Sequence, residues 1–195
     1  MPSLGFRRVV PGLLALCLPL ALALPNGAPI SSCSSMAPVH TGILPQNGSS
    51  PHSINVSSIN STIEVRIMGP TYKGLLLQAR KLFENVTVGT WSSPPANTKT
   101  LQCFNVPDSA MTHSSTSDKD SNDVYTWNPP SKGCITVIFT ATVAQHQSVY
   151  WLGVKSNEIM VNCRDASGSN GAERTTSGLI LLLIWPLFCW LHSAE

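Results

Sequence analysis

Asp108, Ser109 and His113 lie within six positions of one another and carry the side-chain types of a nucleophilic hydrolase. That chemistry needs a serine raised on a sharp turn, and a histidine and an acid that converge on it from distant parts of the chain. No Gly-x-Ser-x-Gly elbow is present. The three residues therefore read as structural, with Asp108 and Ser109 bonding loop amides beside Cys103. His40, His52, His113 and His146 are scattered and lack helical or metal-ligand spacing, so they read as surface or loop histidines. No carboxylate pair and no glycine-rich phosphate loop can be identified. Neither a catalytic residue nor a cofactor nor a metal is expected.

The cysteines carry clearer chemistry. Of six, Cys17 falls in an N-terminal apolar run and Cys189 in a C-terminal one. Cys33, Cys103, Cys134 and Cys163 remain, and an even number in a secreted chain reads as two disulfides. Three connectivities are open on sequence alone. A zinc site would need a Cys-x-x-Cys or a close Cys/His pair, and none occurs.

The ends of the chain set the expected compartment. Residues 1–23 have a basic start at Arg7 and Arg8, an apolar run from Val9 to Leu20 and the small residues Ala21-Leu22-Ala23. This is the pattern of a secretory signal, and cleavage is expected after Ala23. Residues 166–178 form a polar spacer and 179–195 an apolar tail with no Lys or Arg after it. Ser167-Gly168-Ser169, or the triplet beginning at Asn170, offers the small residues of a glycosylphosphatidylinositol attachment site. The alternatives are a retained short membrane segment and an incidental tail. The expected product is secreted or held at the cell surface, with the tail as its link to a membrane.

Between Leu24 and Ser169 there is room for one domain with a real core. Setting aside Arg7, Arg8 and Arg174 of the twelve Lys/Arg, and Glu173 and Glu195 of the ten Asp/Glu, leaves nine basic and eight acidic residues. The charges are scattered singly, with no basic stripe to neutralise phosphates, so nucleic acid is excluded as a partner. Asn-x-Ser/Thr sequons stand at Asn47, Asn55, Asn60 and Asn85 and mark expected exposed, glycosylated positions. Sugar at the first three would shield one edge of the domain.

These groups must be positioned by short strands. Residues 25–52 are rich in Pro, Gly and Ser and read as an irregular arm fastened by Cys33. Ser53–Ser57 alternates weakly. Thr62–Met68 sets Ile63, Val65 and Ile67 against Glu64 and Arg66, the cleanest half-buried strand. Further strands are expected at Gly74–Arg80, Val86–Trp91, Thr100–Cys103, Ala110–His113, Asp123–Trp127, Cys134–Ala144, Val149–Val154 and Glu158–Cys163. Pro107 is read as fixing a loop, and Ser114–Asn122 as a mobile polar loop. Only Leu76–Phe83 has any helical look. This spacing of strands and turns predicts an all-β antiparallel sandwich. Trp91 and Trp127 are expected in its core. Tyr150 and Trp151 are adjacent on a strand and point to opposite faces, so one of them is a candidate partner contact.

Gly89-Thr90-Trp91, Pro94-Pro95-Ala96-Asn97-Thr98-Lys99, Cys103, Pro107-Asp108-Ser109-Ala110 and Thr112-His113-Ser114 together resemble the signature of the Reeler (reelin N-terminal) domain. Pro25-Asn26-Gly27-Ala28-Pro29 and Lys73-Gly74-Leu75-Leu76-Leu77-Gln78-Ala79-Arg80 extend the resemblance, so that it covers residues 24–165. It implies an immunoglobulin/fibronectin-like β-sandwich with Cys33–Cys103 and Cys134–Cys163 paired. It implies no catalytic residues here. Members of ferric-chelate-reductase type follow this domain with DOMON and haem-binding helical domains, which the apolar tail does not resemble, so their reductase activity is not expected to carry over. What remains is a non-enzymatic recognition or adhesion module. The expected partner is an extracellular protein, a glycan or a microbial surface. The alternatives are the extracellular domain of a reductase-like protein without its haem domains, and an innate-defence factor.

Overall fold

The computed structural model describes residues 25–40, 42–59 and 61–163. A short helix α1 (Ser32–Ser35) precedes ten strands: β1 (Ser53–Ile59), β2 (Thr62–Met68), β3 (Gly74–Lys81), β4 (Thr90–Ser92), β5 (Thr98–Cys103), β6 (Val106–His113), β7 (Tyr125–Asn128), β8 (Ile135–His146), β9 (Val149–Lys155) and β10 (Ile159–Val161). They form two antiparallel sheets. One has the order β1-β2-β7-β4. The other has the order β10-β8-β3-β6-β5, with β9 continuing the β10 edge along the second half of β8. The described residues belong to one unit, Met1–Cys163. The expected signal at 1–23, spacer at 166–178 and tail at 179–195 lie outside the described residues, as do Asn60, Ser167, Ser169 and Asn170.

The core lies between the sheets and follows from period-two alternation. Ile63, Val65 and Ile67 of β2 face Val137, Phe139, Ala141 and Val143 of β8, and all are buried. Trp91 and Trp127 pair directly across β4 and β7. Their rings meet Phe139 edge-on at centroid distances of 5.8 and 5.3 Å, the arrangement the ring quadrupole favours. The Trp127 indole N–H donates to the Val88 carbonyl at 3.0 Å. Gly89 has φ +66°, and a Cβ there would stand 2.5 Å from the Trp127 ring. The Gly-Thr-Trp phrase is thus a close-packing device.

Several expected boundaries move. β6 begins at Val106 and runs through Pro107, so that stretch is strand where a loop was expected. The cause is a two-residue hairpin: Phe104 and Asn105 both take left-handed φ, the type I′ pattern that matches strand twist. Residues 86–89 are not strand, and β4 is confined to Thr90–Ser92. The arm is not wholly irregular, since α1 forms one turn and ends at Met36 in the left-handed region. Disulfides join Cys33 to Cys103 and Cys134 to Cys163. In the chain-entropy view, closing 70 and 29 residues contributes roughly 4 kcal/mol each.

Candidate functional site

β3 is buried on both faces. Leu75, Leu77 and Ala79 enter the core, while Leu76 and Gln78 sit beneath the arm. The arm lies over the outer face of the larger sheet and is fastened to β6, β5, β3, β8 and β9. The Ala28 N–H donates to Thr112 Oγ1 of β6 at 2.9 Å. Cys33 is bonded to the end of β5. Thr142 Oγ1 of β8 donates to the Met36 carbonyl at 2.5 Å. The Tyr150 hydroxyl of β9 donates to the Ile43 carbonyl at 2.9 Å, and the Gln46 N–H donates to the Tyr150 carbonyl at 2.9 Å. Gly27, at φ +111°, lets the arm approach β6 so closely that a Cβ would meet the His113 carbonyl at 2.7 Å.

A polar network sets the arm's height above the sheet. The buried Gln78 amide donates to the Cys33 carbonyl at 3.1 Å and to Cys103 Sγ at 3.3 Å. The Arg80 guanidinium donates to Gln78 Oε1 at 2.8 Å and to the Cys33 carbonyl at 2.9 Å. Burial lowers the Arg80 pKa from its ordinary value. The Arg80 bond is charge-assisted, and together with Gln78 it satisfies the Cys33 carbonyl, which the one-turn helix leaves open.

Between these fastenings lies an apolar groove of about 270 Å³. Its floor is the outer face of β3 and β8, where Gly74 pairs with Ala144 and Leu76 with Thr142. The small side chains at Gly74 and Ala144 leave the space. Its roof is Ala28, Pro29, Met36, Ala37 and Pro38, and Lys73, His40, His113 and His146 line it too. Ser32 is 2% exposed and its Oγ has no hydrogen-bond partner among the described residues; the same holds for the buried Nδ1 of His40. Two polar atoms in an apolar groove, both unsatisfied, are the features of a site that receives a polar group from elsewhere.

The tempting hydrolase residues are not assembled. Ser109 is buried, and its hydroxyl accepts from the Cys103 N–H at 2.8 Å and donates to the Cys103 carbonyl at 2.9 Å. It buttresses the staple, as the sequence indicated. Asp108 is exposed at φ +52°. The histidines divide. His146 is exposed, and its ring meets Ser148 Oγ at 3.0 Å. His113 ends β6 with its ring against the Leu75 backbone. His52 lies in the loop before β1, one of the two placements expected, but it is buried there, with its ring edge-on to Tyr72 and Trp151. Burial lowers its pKa from 6.5, opposed by a smaller effect of the Met68 backbone.

Tyr150 and Trp151 do point to opposite faces, yet Tyr150 is not a free partner contact. Its outward face is where the arm lies, so it is buried beneath it, while Trp151 packs partly against the core. Asn47, Asn55 and Asn85 are exposed, Asn55 on the edge strand β1. The Asn85 side chain meets Ser34 Oγ and the Arg80 guanidinium.

The Ser114–Asn122 loop is anchored, contrary to its expected mobility. Lys119 is 2% exposed and its ammonium donates to the carbonyls of Lys73, Ser115 and Ser117 at 2.8, 3.1 and 2.8 Å. Burial lowers its pKa, with Asp123 and Asp118 opposing. Its backbone pairs both ways with Tyr72, whose hydroxyl lies 2.8 Å from that of Tyr125. Burial raises the pKa of both tyrosines, so the pair is neutral. A lone lysine among serines gives no sequence signal of this role. Gln78 had one: a polar residue closing a run of three leucines, which marks burial on both faces.

A two-disulfide antiparallel sandwich with an arm strapped over an apolar groove defines a class of small cystine-stapled β-domains. The Reeler domain profile matches residues 31–167, and the chain belongs to the Reeler domain family. "Putative defense protein 3" of Antheraea mylitta is 35% identical over 152 residues, covering 74% of this chain and 90% of that protein. Ferric-chelate reductase 1 of Mus musculus is 36% identical over 148 residues, covering 69% of this chain and 23% of that protein. This chain thus spans about a quarter of the length of its reductase relatives. The human F-spondin reeler domain (fragment 1) aligns with a TM-score of 0.45 and 17% identity, over 60% of this chain and 94% of that one.

Proposed function

We propose that the chain is a non-enzymatic extracellular recognition module that binds its ligand in the groove beneath the arm. The observation that carries this reading is the groove itself, an apolar space with two unsatisfied buried polar atoms, held open by fastenings on both sides. The Ser109 hydroxyl supports the non-enzymatic part, since both of its hydrogen-bonding directions are taken up by the Cys103 backbone and it is not set up as a nucleophile. Two disulfides and exposed sequons favour an oxidising, extracellular setting. The 35% identity to an insect protein named as a putative defense protein supports microbial surfaces as one class of partner.

The site is kept at a membrane by a lipid anchor attached at Ser167, Ser169 or Asn170. Among the described residues, no helix is long and apolar enough to cross a membrane. Treatment of expressing cells with phosphatidylinositol-specific phospholipase C should release the protein; protein that stays on the cells refutes the lipid anchor. The non-enzymatic reading is tested with purified protein. It should show no haem absorbance and no ferric reduction, and either signal would instead favour the reductase-like alternative.

A further inference from the structure

We infer that the groove beneath the arm takes a small single-chain amphiphile with an anionic head, a medium-chain carboxylate being the simplest member of the class. This inference rests on the groove being the binding site of the module and adds its ligand chemistry. Shape argues for one chain: about 270 Å³ is just below the usual range of small-molecule sites and leaves no room for a two-chain lipid. The body must be apolar, because Leu76, Met36 and Ala144 line the space.

The head follows from the polar groups. Ser32 Oγ is almost fully buried, lines the groove and has no partner among the described residues; His40 Nδ1 is buried beside the same space in the same condition. A carboxylate oxygen accepts from a hydroxyl, and from an imidazole in its N–H form, so each of these atoms suits an anionic head group. Lys73 and two further histidines line the groove, and among the described residues no Asp or Glu does. Lys73 faces Asp118 at 3.8 Å, and both are exposed, so the ammonium can turn to a ligand at little cost.

The test is calorimetric titration of the purified full-length protein with decanoate, decyltrimethylammonium and phosphatidylglycerol vesicles. Decanoate should bind, and the cationic amphiphile should bind at least tenfold more weakly. Ser32→Ala should weaken decanoate about tenfold, the loss of one charge-assisted hydrogen bond. It should leave the thermal midpoint unchanged, because the hydroxyl it removes has no partner in the fold. Ala144→Leu, which fills the floor, should abolish binding. Equal binding of both amphiphiles, no binding of decanoate, or binding indifferent to Ser32→Ala overturns the inference. So does association with vesicles that decanoate fails to compete, which would make the surface a bilayer contact. Ferric reduction by a protein that still binds decanoate would overturn the non-enzymatic reading and leave the ligand assignment standing.

Discussion

Two ionisable side chains are held in surroundings that ordinary surface residues never meet. His52 sits edge-on to Tyr72 and Trp151 with its pKa depressed by burial. The depressed group makes the fold disfavour the proton: full stability is present above 6.5, the unfolded value, and is lost as pH falls through the lower folded value. Denaturation midpoints of the native chain should therefore fall between pH 7.5 and pH 5 more than those of His52→Phe; equal losses would show that His52 is not the group responsible. Lys119 donates to three carbonyls and closes a loop that has no apolar anchor. Removing the ammonium in Lys119→Ala leaves those carbonyls without their partner, and a loss of about 2–4 kcal/mol is expected in urea denaturation. A loss below about 0.5 kcal/mol would mean that water replaces the ammonium freely. Neither role was legible in the sequence, because both depend on what lies above the side chain after folding, and a single His or Lys carries no period.

At the scale of elements, alternation made the sandwich readable. Ile63, Val65 and Ile67 on β2 and Val137, Phe139, Ala141 and Val143 on β8 share one face each by alternation, and the structure buries those faces. The hairpin at Phe104–Asn105 was not readable, since its turn lacks the glycine that usually marks positive φ. The arm's path was also hidden. Three consecutive leucines on β3 require cover on both faces, but nothing in the irregular Pro/Gly/Ser segment says that it provides the second. Two glycines test the geometry. At Gly89 a Cβ would lie 2.5 Å from the Asn128 carbonyl as well as from the Trp127 ring. Gly89→Ala should thus cost roughly 2–4 kcal/mol by thermal unfolding, whereas Gly48→Ala, where a Cβ meets nothing within 4 Å, should be neutral. Gly27→Ala should unseat the arm without unfolding the sandwich. Faster hydrogen exchange at the Ala28 amide with unchanged exchange in β2 would show this, and uniform exchange across both would contradict it.

At the scale of the whole molecule, the family's recognisable residues turn out to build a support. The Gly-Thr-Trp phrase packs the core, Cys103 and Ser109 hold the arm, and Gly27 brings it down onto β6. What they support is a groove with Gly74, Leu76 and Ala144 in its floor and the strapped arm as its roof, and that groove has room for a small ligand. Exposed Asn55 on the edge strand β1 belongs to the opposite sheet, so sugar there would leave the groove open. The most direct test of the groove as the functional site is amide NMR of the folded domain during decanoate titration. Shifts concentrated at Ala28, Ser32, Gly74 and Ala144, with the β1–β2 sheet silent, are the predicted result. Shifts centred on the β1–β2 sheet, or none at all, would contradict it.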